Sequence, residues 1–118
     1  MNFSFIYLYG NNTQMGAKLS YSIKKHHPNS KIIQITNNSE KKILGIDFVE
    51  RFDFSNENIM HDFIKVQIKI IKKYGPTVFL DADMLIIKPI DEFFSNEKFD
   101  FSITKRSSHY NNSYINPK

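Results

Sequence analysis

The chain has 118 residues and no cysteine, which excludes disulfide frameworks, thiolate metal sites and cysteine nucleophiles. Its net charge of +4 comes from lysines in short, scattered pairs, without the dense basic stripe of nucleic-acid binders, so we expect no nucleic-acid partner. No run approaches the roughly 20 apolar residues of a transmembrane helix, and the apolar start lacks the basic residue of a secretory signal, so we predict a cytoplasmic protein.

The first third of the chain predicts a strand, a helix and a second strand. Residues 3–9 are aromatic and β-branched and are followed by Gly-Asn-Asn, which is typical of a strand that ends in a loop. Apolar residues recur every three or four positions from Met15 to Ile23, which predicts a helix that ends near His27, before Pro28. We expect the histidines here to lie on the helix surface. Lys31–Thr36 then reads as a strand.

The next elements repeat this alternation. Residues 47–52 predict a short strand, and residues 58–74 have the clearest helical periodicity, with Asn56 or Asn58 as the cap and Gly75-Pro76 as the end. Thr77–Leu80 is apolar on both faces, which is typical of a central strand covered on both sides, and residues 99–105 alternate like a half-exposed strand. We therefore predict an α/β fold with a mostly parallel sheet and helices on both faces.

Two aspartates stand directly after the predicted strand at Thr77–Leu80. In an extended chain, residues two apart point the same way, so Asp81 and Asp83 would project together. Carboxylates this close repel each other unless a cation lies beside them, and Mg²⁺ or Mn²⁺ prefers oxygen ligands. The pair predicts half of a metal site, with a bound diphosphate as the other half. The competing interpretation is a charged strand end in solvent.

The residues around this pair resemble a known family. The stretch GPTVFLDADMLIIKPIDEFF resembles the D-x-D segment of retaining, nucleotide-sugar-dependent glycosyltransferases of the GT-A fold, especially family 8, which includes glycogenin and bacterial galactosyl- and glucosyltransferases. The opening stretch FIYLYGNNTQMGAKLSYSIKKH is similar to the first strand, loop and helix of that family. The resemblance covers nearly the whole chain but only the N-terminal, donor-binding part of the family's domain.

The resemblance implies a Rossmann-like domain over residues 1–105, followed by a polar tail over residues 106–118. It implies that Asp81 and Asp83, with Ala82 between them, hold Mn²⁺ or Mg²⁺, and that Lys65 reaches the donor phosphates from the preceding helix. The implied donor is a nucleotide-diphosphate sugar, with a UDP-sugar as the first candidate. The residues implied to line the nucleotide pocket are Leu8, Tyr9, Gly10, Asn11, Thr13 and Thr36.

The chain also departs from the family pattern. The Asn-x-Gly stretch that family members usually show is replaced by Asn116-Pro117, and the family's downstream metal-binding histidine and acceptor-binding half have no counterpart. We therefore assign no catalytic residue, and we expect a homo-oligomer or a partner chain to cover the incomplete sheet.

Two alternatives remain open at this level. One is a truncated, non-catalytic nucleotide-binding module. The other is a phosphatase of the haloacid dehalogenase type, in which Asp81 would be the nucleophile and Asp83 the acid–base group. The D-x-D of that class stands near the start of the fold, whereas here two strand–helix units precede it.

Overall fold

The computed structural model describes residues 1–8, 13–37, 41–54 and 57–92. Within these ranges the elements are β1 (Asn2–Ile6), α1 (Thr13–His26), β2 (Lys31–Thr36), β3 (Phe48–Arg51), α2 (Ile59–Tyr74) and β4 (Thr77–Leu80). The strand predicted at residues 99–105, and the boundary predicted between residues 105 and 106, lie outside the described residues.

The four strands form one sheet in the order β3-β2-β1-β4, and every neighbouring pair is parallel. Phe5 of β1 stands opposite Gln34 of β2 on one side and Leu80 of β4 on the other. This is the order of the first four strands of a Rossmann-type sheet. The predicted α/β fold with a parallel sheet is confirmed.

Each helix covers a different face of the sheet. On one face, alternate residues of β1, such as Phe3 and Phe5, pack with Leu19 and Ile23 of α1. On the other face, Ile33 and Ile35 of β2 pack with Val66 and Ile70 of α2. Side chains of a strand alternate between faces, so strands with apolar residues on both faces bury both only when helices lie on each side.

The ends of α2 follow from local chemistry. The Asn58 side chain accepts a hydrogen bond from the backbone N–H of His61 at 3.2 Å, which satisfies one free donor of the first turn. At the other end, Gly75 adopts a positive φ of 86° and its N–H donates to the carbonyl of Ile71. Of the two caps considered, Asn58 is the one used, and the predicted Gly75 end is confirmed.

β4 differs from its predicted place in the sheet. It is an edge strand among the described residues, and all four of its residues are only partly buried. The apolar residues that follow are also exposed, with Leu85 57% and Ile87 81% accessible. The prediction of a central strand covered on both sides is therefore wrong for the described part of the sheet. The apolar composition of a strand shows which side chains it could bury, but it does not show which strands and helices lie beside it.

The strand order creates a crevice beside β4. The chain leaves β1 through α1 towards β2 and β3, and α2 then returns it to the opposite side of β1. α1, which leaves β1, and α2, which enters β4, therefore lie on opposite faces of the sheet, and the strand order reverses between β1 and β4. Ligands of parallel α/β sheets bind at such a switch point, beyond the carboxyl ends of the strands.

Candidate functional site

A cleft of about 670 Å³ lies at the carboxyl ends of β1 and β4. Its volume falls within the range of about 300 to 1,000 Å³ that is common for small-molecule sites. Apolar side chains from β1 and the segment after it, α1, α2 and β4 form much of its wall, namely Ile6, Leu8, Met15, Phe63, Phe79 and Leu80. Asp81 and Asp83 lie on the same cleft and supply its negative charge.

The two aspartates lie in a turn rather than in an extended segment. The backbone N–H of Met84 donates to the carbonyl of Asp81 at 3.0 Å, which closes a four-residue turn over residues 81–84. The extended geometry predicted for the pair is therefore wrong, although both residues still line one cleft. Both side chains are exposed, so their charges carry no large desolvation cost. We name residues 81–84 the acidic turn.

The carboxylate oxygens of Asp81 and Asp83 suit a hard dication that also binds a phosphate group. In the described ranges, no group of three His, Cys, Asp or Glu residues could hold a metal ion, so the protein offers two carboxylates and no closed cage. Mg²⁺ commonly binds through one or two carboxylates together with water and substrate phosphates. The chemistry of Asp81 and Asp83 therefore fits the ions predicted from the sequence.

The residues predicted to line the nucleotide pocket are divided between two hollows. Leu8 lines the cleft, as does Ala82 between the two aspartates, whereas Thr13 lies in a second hollow of about 500 Å³ beside Lys41 and Lys42. Thr36 is fully buried, and its hydroxyl donates to the Tyr7 carbonyl at 2.5 Å, so it joins β2 to the segment after β1. The other three predicted residues, Tyr9, Gly10 and Asn11, lie outside the described residues.

α2 contributes Phe63 and Gln67 to the cleft, and not the predicted Lys65. Lys65 is exposed and is not part of the cleft wall, which α2 forms with Phe63 and Gln67. Residues two apart on a helix point in nearly opposite directions, whereas residues four apart share a face. Gln67 is the polar side chain that sequence reasoning missed, and its spacing of four from the apolar Phe63 is the signal that could have found it.

A ring contact holds the α2 side of the cleft in place. The ring of Phe54 meets that of Phe63 edge to face, with 5.7 Å between centroids. Phe63 also stands one helical turn before Gln67 on the same face of α2. The cleft therefore combines a supported apolar wall with a polar amide and two carboxylates. Such a combination of an apolar wall and a few polar groups is common in small-molecule sites.

Carboxyl groups with shifted pKa values lie away from this cleft and serve the fold. Burial raises the pKa of Asp47, but hydrogen bonds from the Lys24 ammonium and the Ile32 N–H outweigh it, and the pKa is lowered. Asp47 lies 2.9 Å from Lys24 and accepts from the Ile32 N–H at 2.8 Å, so it joins the start of β3 to α1 and β2. Shifted pKa values often mark active sites, but structural ion pairs produce them as well.

Comparison with protein families and with curated proteins identified no relative of this chain. No model of a protein family matches the chain, and no curated protein gives a significant match. Within the part of the chain that the structure describes, no helix combines the length and the apolar character needed to span a lipid bilayer.

Proposed function

We propose that this chain is the donor-binding part of a family-8-like glycosyltransferase of the GT-A type. It binds a nucleotide-diphosphate sugar, with a UDP-sugar as the first candidate, together with Mn²⁺ or Mg²⁺ at Asp81 and Asp83, for transfer of the sugar to an acceptor. The observation that carries this proposal is the meeting of both carboxylates in one cleft at the crevice between β1 and β4. The absence of cysteine supports placing this activity in the cytoplasm.

The residues of the cleft have separate tasks under this proposal. Asp81 and Asp83 would hold the dication together with the diphosphate of the donor. When bound, the dication supplies Lewis-acid stabilisation of the charge that develops on the leaving diphosphate. The apolar wall around Phe63 excludes water from the donor, and the Gln67 amide offers it a hydrogen bond. Lys65 stays a predicted phosphate ligand that would have to reach round from the exposed side of α2.

Thermal unfolding of the full chain tests donor binding. We expect Mn²⁺ and a UDP-sugar together to raise Tm more than either alone. A ligand at about five times its Kd stabilises by about 1 kcal/mol, which corresponds to a rise of about 4 °C for a domain of this size. Asp83→Asn should abolish the Mn²⁺-dependent part of the rise. Glu92→Gln is the matched control, because Glu92 is exposed and is not part of the cleft wall.

The outcomes separate the proposal from its alternatives. An unchanged Mn²⁺-dependent rise in Asp83→Asn would remove that residue from the site. Release of a nucleoside diphosphate from the donor indicates a transferase, and binding without release indicates a non-catalytic nucleotide-binding module. Release of phosphate from a simple phosphoester, without any response to a UDP-sugar, would favour the dehalogenase-type phosphatase instead.

A further inference from the structure

The segment that follows the acidic turn is attached to α1 through side-chain acceptors. Residues 85–90, named here the strap, belong to no helix or strand. The backbone N–H of Ile86 donates to Ser22 Oγ at 3.0 Å, and the N–H of Ile90 donates to His27 Nε2 at 3.1 Å. Ser22 lies within α1 and His27 directly follows it, so one element supplies both acceptors.

His27 is buried at the end of α1, although the sequence predicted it on the helix surface. Its side chain is 4% exposed, and its ring packs on that of Phe3 with 5.2 Å between centroids. Because Nε2 accepts a hydrogen bond, the neutral ring carries its proton on Nδ1, which lies 3.4 Å from the Asp91 carboxylate. The prediction of a surface histidine is wrong because the Phe3 ring and the strap cover it.

The strap also packs through two isoleucine side chains. Ile86 and Ile90 lie against the core that α1 forms with β1, while Leu85 and Ile87 point to solvent. The two hydrogen bonds and the two packed isoleucines therefore fix both the position and the orientation of the strap. The acidic turn connects β4 to this strap, so the positions of both segments determine the orientation of the turn.

We propose that Ser22 and His27 are positioning residues for the acidic turn. By holding the strap on α1, they keep Asp81 and Asp83 directed into the cleft. The acidic turn is closed by one backbone hydrogen bond, and its carboxylates are exposed. If binding of a cation had to order these carboxylates first, the entropic cost would weaken the affinity. The effect on metal binding rests on the proposed function, whereas the attachment of the strap stands on the hydrogen bonds themselves.

Amide exchange and metal titration of the full chain test this proposal by NMR. Ser22→Ala should speed hydrogen exchange at Ile86, and His27→Phe at Ile90, each by about fivefold, as expected for loss of one hydrogen bond. The Kd for Mn²⁺ alone, read from paramagnetic broadening at residues 81–84, should rise at least about threefold in both variants. His27→Gln, which restores an acceptor oxygen, should recover part of both effects.

Ser20→Ala is the matched control. Ser20 is also buried on α1 and its hydroxyl donates to the Gly16 carbonyl, as that of Ser22 does to Leu19, but no strap amide donates to it. If the amide of Ile86 exchanges at the same rate in Ser22→Ala as in Ser20→Ala, the proposed attachment of the strap to Ser22 is refuted. Faster exchange with an unchanged Kd for Mn²⁺ would refute the positioning role.

Failure of the proposed function is distinguishable from failure of this inference. If the wild-type chain shows no broadening by Mn²⁺, the metal site fails, and the amide shifts of Asp81 and Asp83 decide the positioning role. Those shifts should move in Ser22→Ala and stay in place in Ser20→Ala; shifts that stay in both variants would overturn it. If His27→Phe does not fold, the comparison of the two serine variants decides the question alone.

Discussion

Gly75 shows how a single residue ends an element of this fold. Its φ of 86° and ψ of −163° lie in a region open almost only to glycine. A Cβ built there would meet no atom within 4 Å, so the restriction comes from the backbone and not from packing. The chain turns at this point from α2 into β4, the strand that leads to the acidic turn.

Gly75→Ala should therefore destabilise the protein by about 1 to 3 kcal/mol through backbone strain. Urea unfolding followed by circular dichroism measures the change in free energy. Lys72→Ala, an exposed substitution in the last turn of α2, is the control and should stay within about 0.5 kcal/mol of the wild type. Equal stability of Gly75→Ala and the wild type would mean that this backbone conformation is not required.

A charged cluster joins two elements, β3 and α2. Glu50 of β3 accepts hydrogen bonds from the Lys73 ammonium at 2.5 Å and from the Tyr74 hydroxyl. Burial raises the pKa of Glu50, but these hydrogen bonds and the Lys73 charge outweigh it, so the pKa is lowered from its ordinary value of 4.5. The hydrogen bond to Glu50 raises the pKa of Lys73, and burial and the same carboxylate raise that of Tyr74.

The lowered pKa of Glu50 predicts a pH-dependent contribution to stability. A carboxyl whose pKa is lowered by folding stabilises the protein above its unfolded pKa, near 4.5, and loses this effect as pH falls through the folded pKa. Glu50→Gln should cost about 1 to 2 kcal/mol at pH 7 and progressively less as pH falls below 4.5, measured by urea unfolding. Glu92→Gln, at an exposed position, should show no such difference, and a cost for Glu50→Gln that is independent of pH would contradict the assignment.

At the scale of the whole molecule, one side of α2 carries an exposed apolar surface. Its members recur at helical spacing, namely Met60, Ile64, Ile68 and Ile71, with exposures from 46% to 64%. The edge of β4 and the exposed Met84, Leu85 and Ile87 add further apolar surface in the described part of the chain. Contiguous patches of this kind are uncommon on isolated monomers. A homo-oligomer or a partner chain over the sheet stays a prediction.

Fluorescence of a hydrophobic dye tests whether this surface is open in solution. We expect the native protein to bind 8-anilinonaphthalene-1-sulfonate, and we expect the double substitution Ile64→Gln with Ile68→Gln to lower the signal, because half of the α2 patch becomes polar. His61→Gln, at an exposed position of α2 that is not a member of this patch, leaves the formal net charge unchanged and is the control for helix content. Absence of dye binding by the wild type would mean that another part of the chain or another copy covers the surface.

The elements that the sequence predicted well are those set by local patterns. The bounds of β2 agree with its apolar run, and α2 begins and ends at the cap and glycine that its sequence contains. Strand and helix periodicities also predicted the α/β class and the cover on both faces. Caps, turns and periodicity act over a few residues, so one sequence is enough to read them.

Other features depended on residues that are distant in sequence. In the described part of the chain, the edge position of β4, the burial of His27 under the strap, and the entry of Gln67 rather than Lys65 into the cleft all follow from how elements pack. By itself, the sequence determined the alternation of elements and the two adjacent carboxylates. Only the tertiary structure decided which side chains share a cleft, because helix rotation and strand order are set by the two cores.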